Sequence, residues 1–180
     1  MREGVEEAGF EGDKGEEMSA ADELSRALGT GRFLGIGAGS PLAEVEKRLG
    51  VGVRQIHRRK PNRFLRVDFG LVEVTFDGEP DWVCRWLSIH MHRLDDVPGV
   101  AMEVLERCDL DFSGAVTWGQ LSPETRQAAE PVIPPTVEGL RPPVVPPRYR
   151  IATVKATVHL SPLVEGDELN RVIQLISIGV

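Results

Sequence analysis

Residues 64 to 76 read FLRVDFGLVEVTF, and no other stretch of the chain restricts its fold as strongly. Leu65 and Val67 on one side of the glycine, and Val72 and Val74 on the other, recur at every second position, with Arg66 and Glu73 in the opposite phase. A period of two places alternate side chains on opposite faces of an extended strand. Two such arms about a glycine predict an antiparallel hairpin. With Phe69 and Gly70 as a two-residue turn, Val67 faces Val72, Arg66 faces Glu73 and Leu65 faces Val74. The charged pair then sits on the solvent side as a cross-strand ion pair. Gly70 supplies the positive φ that such a turn requires, and Asp68 becomes a residue flanking the turn.

The Asp68-Phe69-Gly70 triplet invites comparison with protein kinases, since GIGAGS stands at 35 to 40 and HRLDD at 92 to 96. The order excludes that reading, because the catalytic loop of a kinase precedes its Asp-Phe-Gly and here it follows. No strand with the nucleotide-binding lysine lies between Gly39 and Asp68. GIGAGS spaces its glycines as G-x-G-x-G, and residues 47 to 67 hold no acid for a ribose, so it is not a dinucleotide fingerprint. No Gly-Lys-Ser/Thr follows, so it is not a P-loop either. The loop reads as the way into a helix over 41 to 49, with Ser40 as its cap, Pro41 at its first position and Gly50 at its end. Its amides are a candidate anion cradle.

Other elements follow from the same signals. Helices are expected over 19 to 28, 100 to 107 and 123 to 130, the last capped by Ser122. A third strand is expected over 83 to 92 with Val83, Leu87, Ile89 and Met91 on one side. Two more strands are expected over 149 to 160 and 170 to 179. Seven prolines between 131 and 147 predict a stiff extended connector. Strands joined by tight turns favour α+β, antiparallel sheets flanked by short helices. Ser-Pro opens a helix at Ser40 and again at Ser122, and LSIHM is echoed by LISIG. Residues 19 to 180 are therefore either one α+β domain or two tandem halves, about 30 to 98 and 112 to 180, sharing a core.

The net charge of −7 belongs mainly to the N-terminus. Residues 1 to 18 hold seven acids against Arg2 and Lys14 in a Gly-rich, apolar-poor stretch, which reads as a disordered acidic tail. The rest of the chain carries −2, so nothing marks a nucleic-acid partner. The basic run RQIHRRKPNRFLR, 54 to 66, lacks interleaved stacking aromatics and reads as a solvated connector. No apolar run is long enough to span a bilayer. No basic start leads into an apolar core, so a cytoplasmic location is expected. Cys84 and Cys108 do not make a disulfide framework.

Two clusters are candidates for function. The acidic turn DGEPDW places Asp77, Glu79 and Asp81 beside Trp82, the composition of a protein-binding hot spot with a charged rim. Alternatively Trp82 is a core residue at the start of the strand. His90 and His92 share one face of the 83 to 92 strand. Such a pair holds zinc or nickel only with a third and usually a fourth ligand. Cys84 lies on that face about 20 Å away at strand rise. The plainer reading is two solvent-facing imidazoles. Cys108, next to Glu106 and Asp109, is not an activated nucleophile. No catalytic constellation, metal site or cofactor motif is complete.

GIGAGSPLAEVEKRLG, LRVDFGLVEVTF and WLSIHMHRLDDVP, in that order, resemble a group of small actinobacterial proteins of unknown or immunity-type function associated with polymorphic toxin systems. The resemblance covers residues 33 to 98. This chain has Phe69 where the group usually has tyrosine. The Leu-Gly-ended helix before a small sheet is also similar to the helix–sheet units of β-lactamase inhibitor proteins, a likeness of fold only. The first resemblance implies a non-enzymatic protein that binds a cognate toxin domain and occludes its active site. Asp77, Glu79, Asp81, Trp82, His90 and His92 are then the expected partner-binding residues. The alternative is a small metal-dependent or small-molecule-binding enzyme built around His90 and His92.

Overall fold

The computed structural model describes residues 18–58, 63–112, 114–133, 146–161 and 168–179. The acidic stretch, but for Met18, and most of the proline-rich connector lie outside the described residues. The fold is α+β with antiparallel sheets.

Helix α1 (Ala20–Thr30) starts where Ser19 Oγ accepts the Asp22 N–H and stops at Gly31, whose φ is +71°. Its Leu24, Ala27 and Leu28 are wholly buried. GIGAGS, read as a loop, is half of a small ribbon, β1 (Arg32–Phe33) paired with β2 (Ile36–Gly37). The turn between them, Leu34–Gly35, has positive φ at both residues, a type I′ arrangement. Buried Glu23 on α1 accepts the Leu34 N–H, and Arg48 donates to the Leu34 carbonyl. These bonds hold a leucine where glycine is usual. Helix α2 (Leu42–Leu49) follows, capped at Pro41 rather than Ser40. Ser40 is buried instead, and its Oγ accepts the Gly37 N–H.

Eight described strands form one sheet in the order β3-β4-β5-β6-β10-β9-β8-β7. They are β3 (Val53–Arg58), β4 (Arg63–Asp68), β5 (Val72–Asp77), β6 (Val83–Ile89), β7 (Glu130–Pro131), β8 (Arg148–Ile151), β9 (Ala156–Leu160) and β10 (Ile173–Gly179). Helices α3 (Arg93–Asp96), α4 (Pro98–Cys108) and α5 (Pro123–Gln127) lie between the two groups of strands in the chain. Each group is an antiparallel meander. The two meet where β6 pairs with β10, and one cluster of buried residues draws on both.

Four expectations are corrected. The basic run, read as a connector, contributes β3, because an edge strand keeps one flank in water and tolerates arginines. The hairpin turn is Gly70–Leu71: Val67 pairs with Val74, Asp68 with Glu73, and the Phe69 N–H bonds the Val72 carbonyl. Gly70, at φ +91°, takes the first turn position, the type II′ preference. The shift is two residues, so Leu65, Val67, Val72 and Val74 keep their common face and are all buried. The third strand ends at Ile89 and carries a bulge: Thr75 pairs with Trp86 but Phe76 with Cys84, which leaves Arg85 as the extra residue. Cys84 therefore turns inward, while Val83 is 41% exposed. The 149 to 160 strand is two strands, broken by a tight turn at Ala152–Val154 with Lys155 at φ +48°.

Candidate interaction face

Burial alternates strictly along β5 and β9, and along β4 from Phe64 onward, so the sheet has one face against the core and one turned outward. Paired residues share a face. The register therefore traces a single row on the face away from the core across all eight strands, Val53, Asp68, Glu73, Ser88, Ser177, Thr157, Arg150 and Glu130, of which Ser88 and Ser177 at the centre are buried. The row beside it runs Gln55, Arg66, Thr75, Trp86 and Gly179. Trp86 stands on a central strand, 41% exposed, with its Nε1 donating to Ser88 Oγ at 3.2 Å. Its ring lies over Gly179, where any Cβ would overlap Trp86 Cζ3 and Cε3. Glycine opposite the indole lets the ring lie flat on the sheet, fixed rather than free to rotate.

Three ion pairs stand on the β4–β5 side of this tryptophan and at the end of the hairpin. Arg66 holds Glu73 diagonally across the hairpin, not directly opposite as the expected register had it. Arg85, the bulged residue, donates to Asp77 at 2.6 Å. Asp68 accepts the Gly70 N–H at 2.9 Å and Arg93 Nη1 at 2.7 Å, and Arg93 also donates to the Gly70 carbonyl. Asp68 is thus the clasp between the hairpin turn and α3, not merely a flanking residue. In this pattern the acids are already answered, and the apolar surface of the indole is the feature left unspent.

The expected site residues separate into two groups at opposite ends of the β5–β6 ladder, since Asp77 pairs with Val83 and Val72 with Ile89. That is about 20 Å at strand rise. In the acidic turn, Asp77 is tied to Arg85 and Glu79 to Arg63. Asp81 is exposed. Trp82, at φ +25°, is partly buried against the core, and its carbonyl accepts the Leu42 N–H. The turn is therefore an anchor for α2 rather than an acidic rim around a free indole.

His90 and His92 meet edge to face, ring centroids 5.5 Å apart, beyond the end of β6. Neither faces solvent fully. His90 Nε2 is buried without a hydrogen-bond partner, 4.0 Å from Glu73 Oε2. Burial, then the nearby Arg93 charge, lowers the His90 pKa below 6.5, with Glu73 opposing. His92 Nδ1 lies 3.3 Å from the Gln174 carbonyl oxygen. Among the described residues no three His, Cys, Asp or Glu side chains converge on one point. Burial pushes the Cys84 thiol up to about 12 and raises Cys108 as well. Three amides of the glycine loop bond within the chain: Gly39 N–H to the Cys84 carbonyl, Ser40 N–H to the Gly37 carbonyl and Gly37 N–H to Ser40 Oγ. These three are not offered to an anion.

Trp86 was not among the expected site residues. Its signal was present, a tryptophan in the polar phase of an amphipathic strand between Arg85 and Ser88. Comparison with known protein families, with characterised proteins and with solved structures returns no match. No described helix is long and apolar enough to cross a membrane.

Proposed function

We propose that this chain is a non-enzymatic protein-binding module of the immunity type, which neutralises a cognate toxin by covering its active site. The observation that carries the reading is Trp86, a fixed and 41% exposed indole on the outward face of a central strand. A large side chain flanked on one side by self-satisfied ion pairs suits a binding centre, because an indole with few rotatable bonds loses little entropy on docking. The sheet supplies rigidity, which occlusion of an active site needs. The resemblance of residues 33 to 98 to toxin-associated proteins supplies the class of partner. The binding surface is thereby moved from the acidic turn to the sheet face, with Asp77 retained at its border through Arg85.

The test is to examine the genes beside this chain's own and to co-express it with any toxin domain encoded there. Trp86→Ala should lose protection and weaken binding by at least about 30-fold, the size of a hot-spot truncation. Asp81→Asn should leave both unchanged. Full protection by Trp86→Ala would remove the sheet face from the proposal. Stoichiometric zinc in the purified protein, lost on His90→Ala, would replace binding with metal chemistry.

A further inference from the structure

Helix α2 buries Val45 and Leu49 in the core, on the side of the sheet away from Trp86. Beside the last turns of α2 and α4 opens a cleft of about 670 Å³, lined by Leu34, Glu44, Lys47, Arg48, Arg107 and Cys108. Three cations face one carboxylate there. Among the described residues, neither Lys47 nor Arg107 is ion-paired with an acid. Arg48 donates one N–H to the Leu34 carbonyl and keeps the others. Glu23, buried beside Leu34, is already paired with Arg26, and Glu103 and Glu106 border the neighbouring cleft. A basic residue in a last turn complements the helix end, which carries about half a negative charge. Two such ends and Glu44 still leave the cleft about one charge positive. Nor do the helix ends explain where the guanidinium groups are held. Arg48 Nη1 lies against Gly35 and Arg107 Nε against Gly50, so that a Cβ on these glycines would come within 3.1 and 3.0 Å of them. Both groups are laid on bare backbone and brought to one cleft from two helices.

We infer that this cleft binds a phosphoryl group, either free phosphate or the phosphate of a small polar ester, through Lys47, Arg48 and Arg107. Guanidinium forks match the edges of a phosphoryl group, and lysine adds a point charge. A phosphoryl group offers three terminal oxygens to the three cationic side chains, where a carboxylate offers two. Its second negative charge also suits a cleft that is already positive. No aromatic ring lines the cleft, and Leu34 is its only aliphatic side chain, so a nucleobase has nothing to stack on. The half-buried Cys108 completes the lining, its Sγ 3.7 Å from the Arg48 carbonyl oxygen. None of these residues belongs to the Trp86 face.

Cys108 makes the cleft testable on the whole chain. Cys84 is 3% exposed and its thiol is pushed up to about 12, so a neutral disulfide such as dithiodipyridine labels Cys108 in the folded protein. Inorganic phosphate and glycerol phosphate are titrated separately against the labelling rate, at constant ionic strength. Either should slow labelling in a saturable way, and the one that acts at the lower concentration names the source of the phosphoryl group. Arg107→Gln and Lys47→Gln, both at exposed positions, should each raise the half-protecting concentration by about tenfold. Glu44→Gln should lower it by about threefold, because it removes the carboxylate from the cleft. Side chains that served only the helix ends would give no such improvement. Protection by neither compound, protection that never saturates, or variants that all match the parent would each overturn the assignment. None of these outcomes bears on Trp86→Ala and toxin protection, so the two readings fail separately.

Discussion

Asp68 shows how much one carboxylate can organise. It closes the hairpin turn by accepting the Gly70 N–H and ties that turn to α3 through Arg93. Its side chain is 34% exposed and that of Arg93 20%, so the pair is only partly screened. Asp68→Ala is expected to cost about 1.5 kcal/mol in denaturant unfolding, the scale of lost hydrogen bonds to a charged group. Arg93→Ala should cost a similar amount, and the double mutant should cost less than the two together. Strict additivity would mean that the clasp contributes nothing. Glu23 does the same kind of work beneath the surface, holding Leu34 in a left-handed conformation that leucine disfavours.

At the scale of elements, β6 is where the fold and the candidate site are decided together. The bulge at Arg85 reverses the phase of the strand, sending Cys84 inward while Trp86 stays outward with Ser88. Opposite Trp86, β10 presents Gly179. Gly179→Ala puts a methyl into the indole ring and should cost about 2 kcal/mol through overpacking. The ring must then lift from the sheet, so tryptophan fluorescence should shift toward the solvent-exposed value. A variant with native stability and an unchanged spectrum would mean that the ring does not lie where the structure has it. The hairpin teaches the complementary lesson. Its register moved by two residues and lost nothing, since an even shift preserves faces, whereas the one-residue bulge changed what β6 presents.

For the whole molecule, the histidines set how stability responds to acid. Burial, then neighbouring cations, lowers both His90 and His159 below 6.5. The unfolded chain therefore binds protons at these positions near pH 6.5, while the folded chain binds them only at lower pH. The stabilisation is complete above about pH 6.5 and is lost as pH falls below it. Thermal midpoints should drop between about pH 7 and pH 5, and His90→Gln should flatten part of that slope. An unchanged slope in the variant would place the titration elsewhere. His90 faces Glu73, His92, Arg93 and Asp68, so the same protons would load the charge network that borders the Trp86 face.

Local sequence determined a good deal of this protein. Period-two alternation set which side chains of β4 and β5 are buried, Gly70 set that a tight turn joins them, and Ser19 and Gly31 set the limits of α1. These are interactions between near neighbours, and short-range sterics suffice to specify them. Only the tertiary structure decided the rest. Whether 54 to 58 is connector or strand depended on a neighbouring edge needing a partner. Whether Asp77 and Glu79 form an acidic rim depended on Arg85 and Arg63 lying within reach. Whether Trp82 or Trp86 meets solvent depended on one bulged residue and on a glycine 93 positions away in the chain. Cross-strand partners are chosen by the packing of the whole sheet, and no pattern within a single strand records which partner it will meet.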